Sequence, residues 1–279
     1  LDLRCTDGND KCKLDRLFLS DTPRDKSIPL VGARAASQVW PDSNNPALAI
    51  PYDTSKLYRD EFTVYLTEAQ RTAAIVASGT PGGDLDGALT LDAVDPGKVL
   101  LDIAQNGVPA TFDIPIEETP DVIVPVIYAA SLDLNDGTFI AYTSETVVSV
   151  PAPSSINLTL SHLENVNGDN HLSLVGASVL NGQDTVDLTL RLTQAQRAEA
   201  IRISGTTGHE SSIHGSNPQV VRFEAAFLRD LSGNANTETT GILVAETADI
   251  TSPNVLYASV NYGTGVLEMQ MDEIVELSN

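Results

Sequence analysis

Two copies of one segment, LTEAQRTAAIVASGT at residues 66–80 and LTQAQRAEAIRISGT at residues 192–206, decide how this chain is organised. Matching text continues on both sides of each copy at an offset close to 126 residues, so the chain contains a duplicated domain. In the first copy Thr67 precedes Gln70 by three residues, and the second copy keeps the same pair. That spacing is typical of a capping box, in which each side chain binds the backbone at the other residue. Each unit is therefore predicted to contain one short helix that ends at a Ser-Gly pair.

The composition indicates an acidic globular protein. The 279 residues include 38 Asp and Glu against 16 Lys and Arg, which gives a net charge of −22. Such a charge repels nucleic-acid phosphates and anionic membrane surfaces, so nucleic-acid binding is not expected. No apolar run approaches the length of a bilayer span, so membrane insertion is not expected either. Because dissolved ions screen repulsion within an acidic surface, the charge suits a salty or calcium-rich medium.

Residues 125–252 show the strand pattern most clearly, because apolar and polar residues alternate in short runs separated by Asn, Asp and Gly. The predicted strands are VIYAASLDL from Val126, FIAYTSETV from Phe139, INLTL from Ile156, HLSLVGASV from His171, VDLTLRL from Val186, VVRFEAAFL from Val220 and ILVAETA from Ile242. The first two form a hairpin around an Asn-Asp-Gly turn. Seven strands with a crossover helix between the fifth and sixth predict an all-β, immunoglobulin-like sandwich, although a closed barrel has the same pattern.

The first unit, residues 1–124, repeats this plan with two changes. LVGARA from Leu30 matches LVGASV from Leu174, but an insertion over residues 38–56, which contains Trp40, lengthens one loop. Leu1 aligns with a position just past the first hairpin of the second unit. The first unit is therefore predicted to lack that hairpin.

Residues 253–279 supply a third copy of the same hairpin. NVLYASVNYGTGVLEMQMDEIVE repeats VIYAASLDLNDGTFIAYTSETVV at an offset of 128. A sandwich that lacks two strands exposes an apolar face, and an isolated hairpin is at best marginally stable in water. One hypothesis is that the final hairpin of one molecule completes the first unit of the next, as in donor-strand exchange. Two alternatives are that the chain is a segment of a longer tandem array, or that the hairpin folds back within one molecule.

The first hypothesis predicts specific interface residues. The donor residues are Val255, Tyr257, Ser259, Val266, Leu267, Met269 and Met271. The acceptor residues are Leu17, Leu19, Val64 and Leu100. Because donor and acceptor surfaces differ, copies of the chain would assemble head to tail into a filament unless the contact closed into a ring.

The text SLDLNDGTFIAYTSETV and the later DLSGNAN resemble the immunoglobulin-like repeats of large surface proteins, in bacterial S-layer and adhesin-type chains and in protist surface and flagellar-hair proteins. The matching residues are Ser144, Glu145 and Val147 in the opening, and Asp230, Gly233 and Asn234 in the ending. The resemblance covers nearly the whole chain. It implies an extracellular array, stalk or filament component without enzymatic activity.

Covalent sites are predicted at three residues. Cys5 and Cys12 flank a turn-forming TDGNDK segment and are predicted to form a local disulfide, which fits an oxidising compartment. Asn157 begins an Asn-Leu-Thr glycosylation sequon.

No GxSxG, Walker or HExxH motif is present, so the chain is not expected to be an enzyme and no cofactor is expected.

Calcium is the metal that the turns suit best. Residues 165–169 (NVNGD) and, less well, residues 7–10 (DGND) place oxygen ligands within a turn, but neither has the final glutamate of an EF-hand. The same residues are also the usual way to connect two strands. Acidic residues at a junction between units form a third candidate: Asp121 or Asp249 facing Asp102 or Asp230.

The four histidines give a weaker metal hypothesis. His209 and His214 lie with Glu210 in a Gly/Ser-rich insertion, where a zinc site is the alternative to an exposed loop. His162 and His171 flank a turn and are predicted to be solvated.

The loops allow a second class of function, ligand binding. Loops presented by a rigid sandwich often bind ligands. The loop around Trp40 and the insertion at residues 207–219 could form such a surface, in which case the chain would be a ligand-binding adhesin module of a longer surface protein.

Overall fold

The structure is a computed structural model that describes residues 14–21, 24–35, 63–84, 87–94, 100, 106–151, 155–165, 167–168, 170–206 and 219–275. Its regular elements are strands and two short helices, so the predicted all-β class is confirmed. The chain divides into two compact units: Leu1–Val122 with Leu231–Gly233, and Ile123–Asp230 with Asn234–Asn279.

The first unit contains two small sheets among its described residues. Its elements are β1 (Leu17–Ser20), β2 (Ser27–Pro29), β3 (Arg34–Ala35), β4 (Val64–Tyr65), α1 (Glu68–Val76), β5 (Thr90–Ala93) and β6 (Thr111–Pro115), with a 3-10 turn at Leu14–Arg16. One sheet has the order β2-β1-β5-β6, and β3 pairs with β4 in the other. All of these pairs are antiparallel.

The second unit contains one larger, sandwich-like system of strands. Its elements are β7 (Ile127–Asp133), β8 (Thr138–Val147), a 3-10 turn (Leu158–Leu160), β9 (Ser161–Glu164), β10 (His171–Ser173), β11 (Ser178–Val179), β12 (Thr185–Arg191), α2 (Gln194–Ile203), β13 (Val220–Phe223), β14 (Thr239–Thr247), β15 (Val255–Asn261) and β16 (Val266–Met271). Eight strands pair in the order β10-β9-β13-β14-β7-β8-β12-β11, and only the β14–β7 pair in this order is parallel. The β15–β16 hairpin is a separate two-stranded sheet.

Three predicted strands differ from the structure. The predicted VVRFEAAFL strand ends early, because β13 stops at Phe223 and a turn with Ala226 at a φ of 65° follows. The predicted INLTL strand is largely a 3-10 turn, because the side chain of Asn157 accepts a hydrogen bond from the backbone N–H of Thr159 and caps that turn. The predicted strand at residues 171–179 is divided into β10 and β11, which lie at opposite ends of the sheet order. Described residues 125–252 therefore form eight strands, and α2 follows the sixth rather than the fifth.

The helix cap explains why that strand divides. Gln196 completes the predicted capping box with Thr193, and its Nε2 atom also donates to the backbone oxygens of Ser173 and Val175, at 2.9 Å each. The helix thereby holds the loop that carries the chain from β10 to β11. Gln70 makes the same pair of contacts in the first unit, at 2.8 Å each.

The core of the second unit is one continuous apolar cluster. Within it, the centroid of the fully buried Phe223 ring lies 6.4 Å from that of Phe139 and 4.7 Å from that of Phe227. The described core of the first unit is smaller and consists of two clusters, around Leu17 and around Ile28. Since each fully buried large apolar side chain contributes about 1.5–3 kcal/mol, the continuous cluster is the main source of stability in the second unit.

Candidate functional site

The β7–β8 hairpin occupies the middle of the strand order in the second unit. On one side, β7 runs parallel to β14, with Val244 paired to Ala130 and Thr247 to Asp133. On the other side, β8 runs antiparallel to β12, with Leu190 paired to Phe139. Both outer edges of the hairpin are therefore hydrogen-bonded.

The corresponding strands of the first unit flank no hairpin among the described residues. At the repeat offsets of 128 and 126, β6 corresponds to β14 and β4 corresponds to β12. These strands belong to two separate sheets. The copy of the β14 segment that pairs with β7 is residues 116–119, and β6 ends just before it. The described part of the first unit thus repeats the sheet of the second unit with its central hairpin left out.

The β15–β16 hairpin repeats the sequence pattern of β7–β8, but its apolar side chains are not covered in the same way. Val255 and Val260 are copies of Ile127 and Leu132, which are 1% and 0% exposed, yet the copies are 55% and 47% exposed. Leu267, the copy of the fully buried Phe139, is 59% exposed. An exposed apolar hairpin of this kind is typical of an interaction surface.

The predicted donor residues all lie on this hairpin. Val255, Tyr257, Val266, Leu267 and Met269 are exposed, whereas Ser259 and Met271 are partly buried. A β-bulge between Val255 and Tyr257, which matches one between Ile127 and Ala129, shifts the alternation of faces by one residue.

The bulge changes which residues share the apolar face. The sequence pattern predicts Tyr257 and Ser259 on that face, but they correspond to the partly buried Ala129 and Ser131. The copies of the buried Leu132 and Leu134 are instead Val260 and Tyr262, which sequence reasoning missed. Alignment of the two hairpins at the 128 offset could have identified both.

The predicted acceptor residues lie together in the first unit. Leu17 is buried in one small apolar cluster, and Leu19, Val64 and Leu100 pack against it partly buried. Beside them on β4 and β6, Tyr65 and Phe112 expose large apolar side chains. The four residues thus form part of a core with apolar surface at its edge.

A buried arginine holds the base of the β15–β16 hairpin. The Arg197 side chain, 5% exposed, pairs with Asp249 and, through Nη1 at 2.7 Å, with Glu273 just after β16. Its Nε atom donates to the backbone oxygen of Leu134. In the first unit the equivalent Arg71 is 32% exposed and pairs with Asp121. A buried cation is tolerated here because two carboxylates and a backbone carbonyl surround it.

Asp272 of the β15–β16 hairpin and Asp136 of the β7–β8 hairpin have lowered pKa values, and they lie at opposite ends of the two hairpins. At the open end of β15–β16, hydrogen bonds from the backbone and side chain of Asn254 lower the pKa of Asp272. At the turn of β7–β8, burial acts to raise the pKa of Asp136, but hydrogen bonds from Thr138 and the charge of Arg191 outweigh it and lower the value.

Of the remaining predicted sites, the glycosylation sequon lies within the described residues and several others lie outside them. Asn157 is exposed, as a glycosylation site requires. Cys5, Cys12, Trp40 with its loop, residues 207–218 with His209 and His214, residues 7–10 and Asp102 lie outside the described residues. The disulfide, the recognition loops and two of the metal hypotheses stay predictions.

Several calcium candidates within the described chain make hydrogen bonds or ion pairs, and the calcium hypotheses stay predictions. Asn165 accepts a hydrogen bond from the backbone N–H of Asn170 and closes its turn, while Val166 and Asp169 of that turn lie outside the described residues. Asp249 and Asp121 are each ion-paired with an arginine of the adjacent helix. A guanidinium beside each carboxylate supplies the positive charge that a junction calcium would bring. In the second unit, the carboxylate oxygens of Glu145 and Asp230 lie within 4.8 Å of each other.

His162 and His171 are not both solvated as predicted. His162 is largely covered and contacts Glu164, which also contacts His171. Sequence reasoning missed this group because its members come together only through the pairing of β9 with β10.

Comparison of the chain with protein-family models, with curated proteins and with solved structures finds no match. Within the described residues, neither helix has the length and apolar character needed to cross a bilayer.

Proposed function

We propose that this protein is a structural subunit of an extracellular filament or surface array with an immunoglobulin-like repeat architecture. In this assembly, β15 and β16 of one molecule insert between β6 and β4 of the first unit of another copy. The protein acts as a building element and not as an enzyme.

The observation that carries the proposal is the different environment of two hairpins with one sequence pattern. In the second unit, β7–β8 lies between β14 and β12, and its apolar side chains are buried. The β15–β16 hairpin exposes the corresponding side chains, and β6 and β4 end two separate sheets. Insertion would bury the exposed face and satisfy backbone groups at strand edges, which together give donor-strand complexes their stability.

The repeat also predicts the register of the inserted strands. Transfer of the β12–β8 pairing places Val64 opposite Leu267 and Tyr65 opposite Val266, antiparallel. Transfer of the β14–β7 pairing places residues 116–119 beside residues 258–261, parallel. The donor and acceptor surfaces differ, so each molecule can give one hairpin and receive another, and the contact propagates head to tail.

Truncation after Ser252 tests whether the hairpin drives assembly. The shortened chain should stay monomeric in sedimentation and show no filaments by electron microscopy, whereas the full chain should assemble. Filaments that survive the truncation would exclude the mechanism. A monomeric full chain would instead support the array-segment or fold-back hypothesis.

Two neighbouring substitutions test the apolar face more finely. Val260→Asp places a charge where its copy, Leu132, is fully buried, and should abolish assembly. Ser259→Asp is the matched control, because its copy, Ser131, is only partly buried, and assembly should persist. Equal effects of the two substitutions would contradict the predicted face.

A cysteine pair tests the register. In a background with Cys5 and Cys12 replaced by serine, Tyr65→Cys with Val266→Cys should cross-link between molecules under mild oxidation. Tyr65→Cys with Glu268→Cys is the off-register control and should not cross-link, because residues displaced by two positions exceed disulfide reach. Cross-linking within one chain would indicate fold-back.

A further inference from the structure

Two histidines and one glutamate meet on the outer face of the β9–β10 hairpin. The antiparallel register places His171 opposite Glu164, and His162 precedes Glu164 by two residues on β9. Side chains alternate along a strand, so the buried Leu163 and Leu172, which are adjacent to these residues and pair with each other, point to the core. The three polar side chains therefore share the opposite face.

Their polar atoms converge on one point. Oε1 of Glu164 lies 2.6 Å from Nε2 of His162 and 3.2 Å from Nδ1 of His171. The two imidazole rings meet edge to face, with centroids 5.5 Å apart. The side chains of His162 and Glu164 are 19% and 16% exposed, and that of His171 is 55% exposed. The group is covered by protein on one side and open to solvent beside His171.

We infer that His162, Glu164 and His171 form a binding site for a divalent transition-metal ion, with Zn²⁺ as the best fit. Two imidazole nitrogens and one carboxylate oxygen are a donor set that zinc binds at about 2.0–2.2 Å, with water as a fourth ligand. At a tetrahedral centre these bonds place ligand atoms about 3.3 Å apart, so the 3.2 Å separation already fits and the 2.6 Å separation must lengthen. Calcium and magnesium prefer oxygen-only sites and should not bind here.

The charges around the group tolerate a dication. Arg222 on β13 lies opposite His162, and its guanidinium is ion-paired with Glu238. Glu164 adds a second carboxylate, so negative charge exceeds positive charge among these groups while both histidines are neutral. A bound ion would connect β9 to β10, a three-residue strand at one end of the sheet order.

The first unit lacks this donor set at the same place. At the offset of 144 that relates LVGARA to LVGASV, the equivalent residues are Phe18, Ser20 and Ser27. Ser20 and Ser27 also pair across two strands, but through a hydroxyl–hydroxyl hydrogen bond of 3.4 Å. The inferred site therefore belongs to the second unit alone.

The inference is tested by titrating the chelator-treated full chain with ZnCl₂ and measuring the binding by calorimetry. Wild type should bind Zn²⁺ at this site and show a higher midpoint of thermal unfolding with Zn²⁺ than with EDTA, because a ligand that binds the folded state stabilises it. CaCl₂ should give neither effect through this site. His162→Gln with His171→Gln should lose one equivalent of saturable zinc binding and the associated shift.

The other histidine pair provides a matched control. His209→Gln with His214→Gln removes two imidazoles elsewhere in the chain and should retain binding and stabilisation. Loss of all zinc binding in this control would assign the ion to the 207–219 insertion and overturn the inference.

A direct measurement keeps the test decisive if the double variant folds poorly. Zn²⁺ should shift the imidazole nitrogen resonances of His162 and His171 in the wild-type NMR spectrum and slow amide hydrogen exchange in β10. His171→Ala, at the more exposed ligand, should abolish that protection without unfolding the chain. Unchanged resonances of both histidines at saturating Zn²⁺ would refute the site.

Discussion

The β7–β8 and β15–β16 hairpins share one sequence pattern but differ in burial and strand pairing. Both have a bulge at the same place in the first strand and a glycine with positive φ in the turn, Gly137 and Gly265. The first is paired along both outer edges and buried, whereas among the described residues the strands of the second pair only with each other and are exposed. The pattern encodes a hairpin with one apolar face, and the neighbouring strands determine whether that face is buried.

Substitutions at equivalent apolar positions should give the largest difference in stability between the two hairpins. Phe139→Ala removes a fully buried ring that contacts Phe223 and should lower the free energy of unfolding of the second unit by about 3–5 kcal/mol. Leu267→Ala, at the equivalent exposed position, should change it by less than about 0.5 kcal/mol in the monomer. Denaturant unfolding followed by circular dichroism, at concentrations below assembly, measures both. Similar losses would show that β15–β16 is also packed in the monomer.

The next largest difference is expected in how much the arginines of the two helices contribute to stability. Arg197→Met leaves Asp249 and Glu273 without their buried cation and should cost about 3 kcal/mol, with faster proteolysis at the base of β15–β16. Arg71→Met affects a more exposed pair and should cost about 1 kcal/mol or less in the first unit. The same denaturation experiment measures both. A cost for Arg197→Met no larger than that for Arg71→Met would contradict the role assigned to the buried ion pairs.

Lowering the pH should produce the smallest difference in stability between the two hairpins, and it should act at opposite ends of them. A carboxylate whose pKa is lowered on folding adds stability that is present above its unfolded pKa of about 3.9 and is lost as pH falls through the lower folded value. Protonation of Asp272 should therefore weaken its hydrogen bonds with Asn254 and open that end of β15–β16. Protonation of Asp136 should weaken its bonds in the turn of β7–β8.

Amide hydrogen exchange between pH 5 and pH 2 measures this difference. The amide of Asn254 should lose protection in acid, whereas that of Val126, bound to the hydroxyl of Ser144 at the equivalent place, should not lose its partner by titration. Asp272→Asn should remove the pH dependence at Asn254. Persistence of that dependence in the variant would assign it to another group.

Much of the fold could be predicted because its signals are local. The capping boxes at Thr67 and Thr193 are present as predicted, since a cap depends on residues three positions apart. The division of residues 171–179 could not be predicted, because it depends on Gln196, which binds that loop from a distant part of the chain.

The candidate sites show the same limit. Alternation alone predicts Tyr257 on the apolar face, but a bulge beside it moves Val260 there instead. The meeting of His162 and His171 with Glu164 depends on the register between two strands, and no spacing rule within either strand contains that information.

The parallel pairing of β14 with β7 determines how the second unit carries tension. β7 begins at Ile127, near the start of the unit, and β14 ends at Thr247, before the segment that leads to β15. Opposing forces applied at these two ends would slide the strands along each other, so that the hydrogen bonds between residues 130–133 and 244–247 bear the load together in shear. Rupture would then need simultaneous loss of these bonds, which resists pulling better than opening them one at a time.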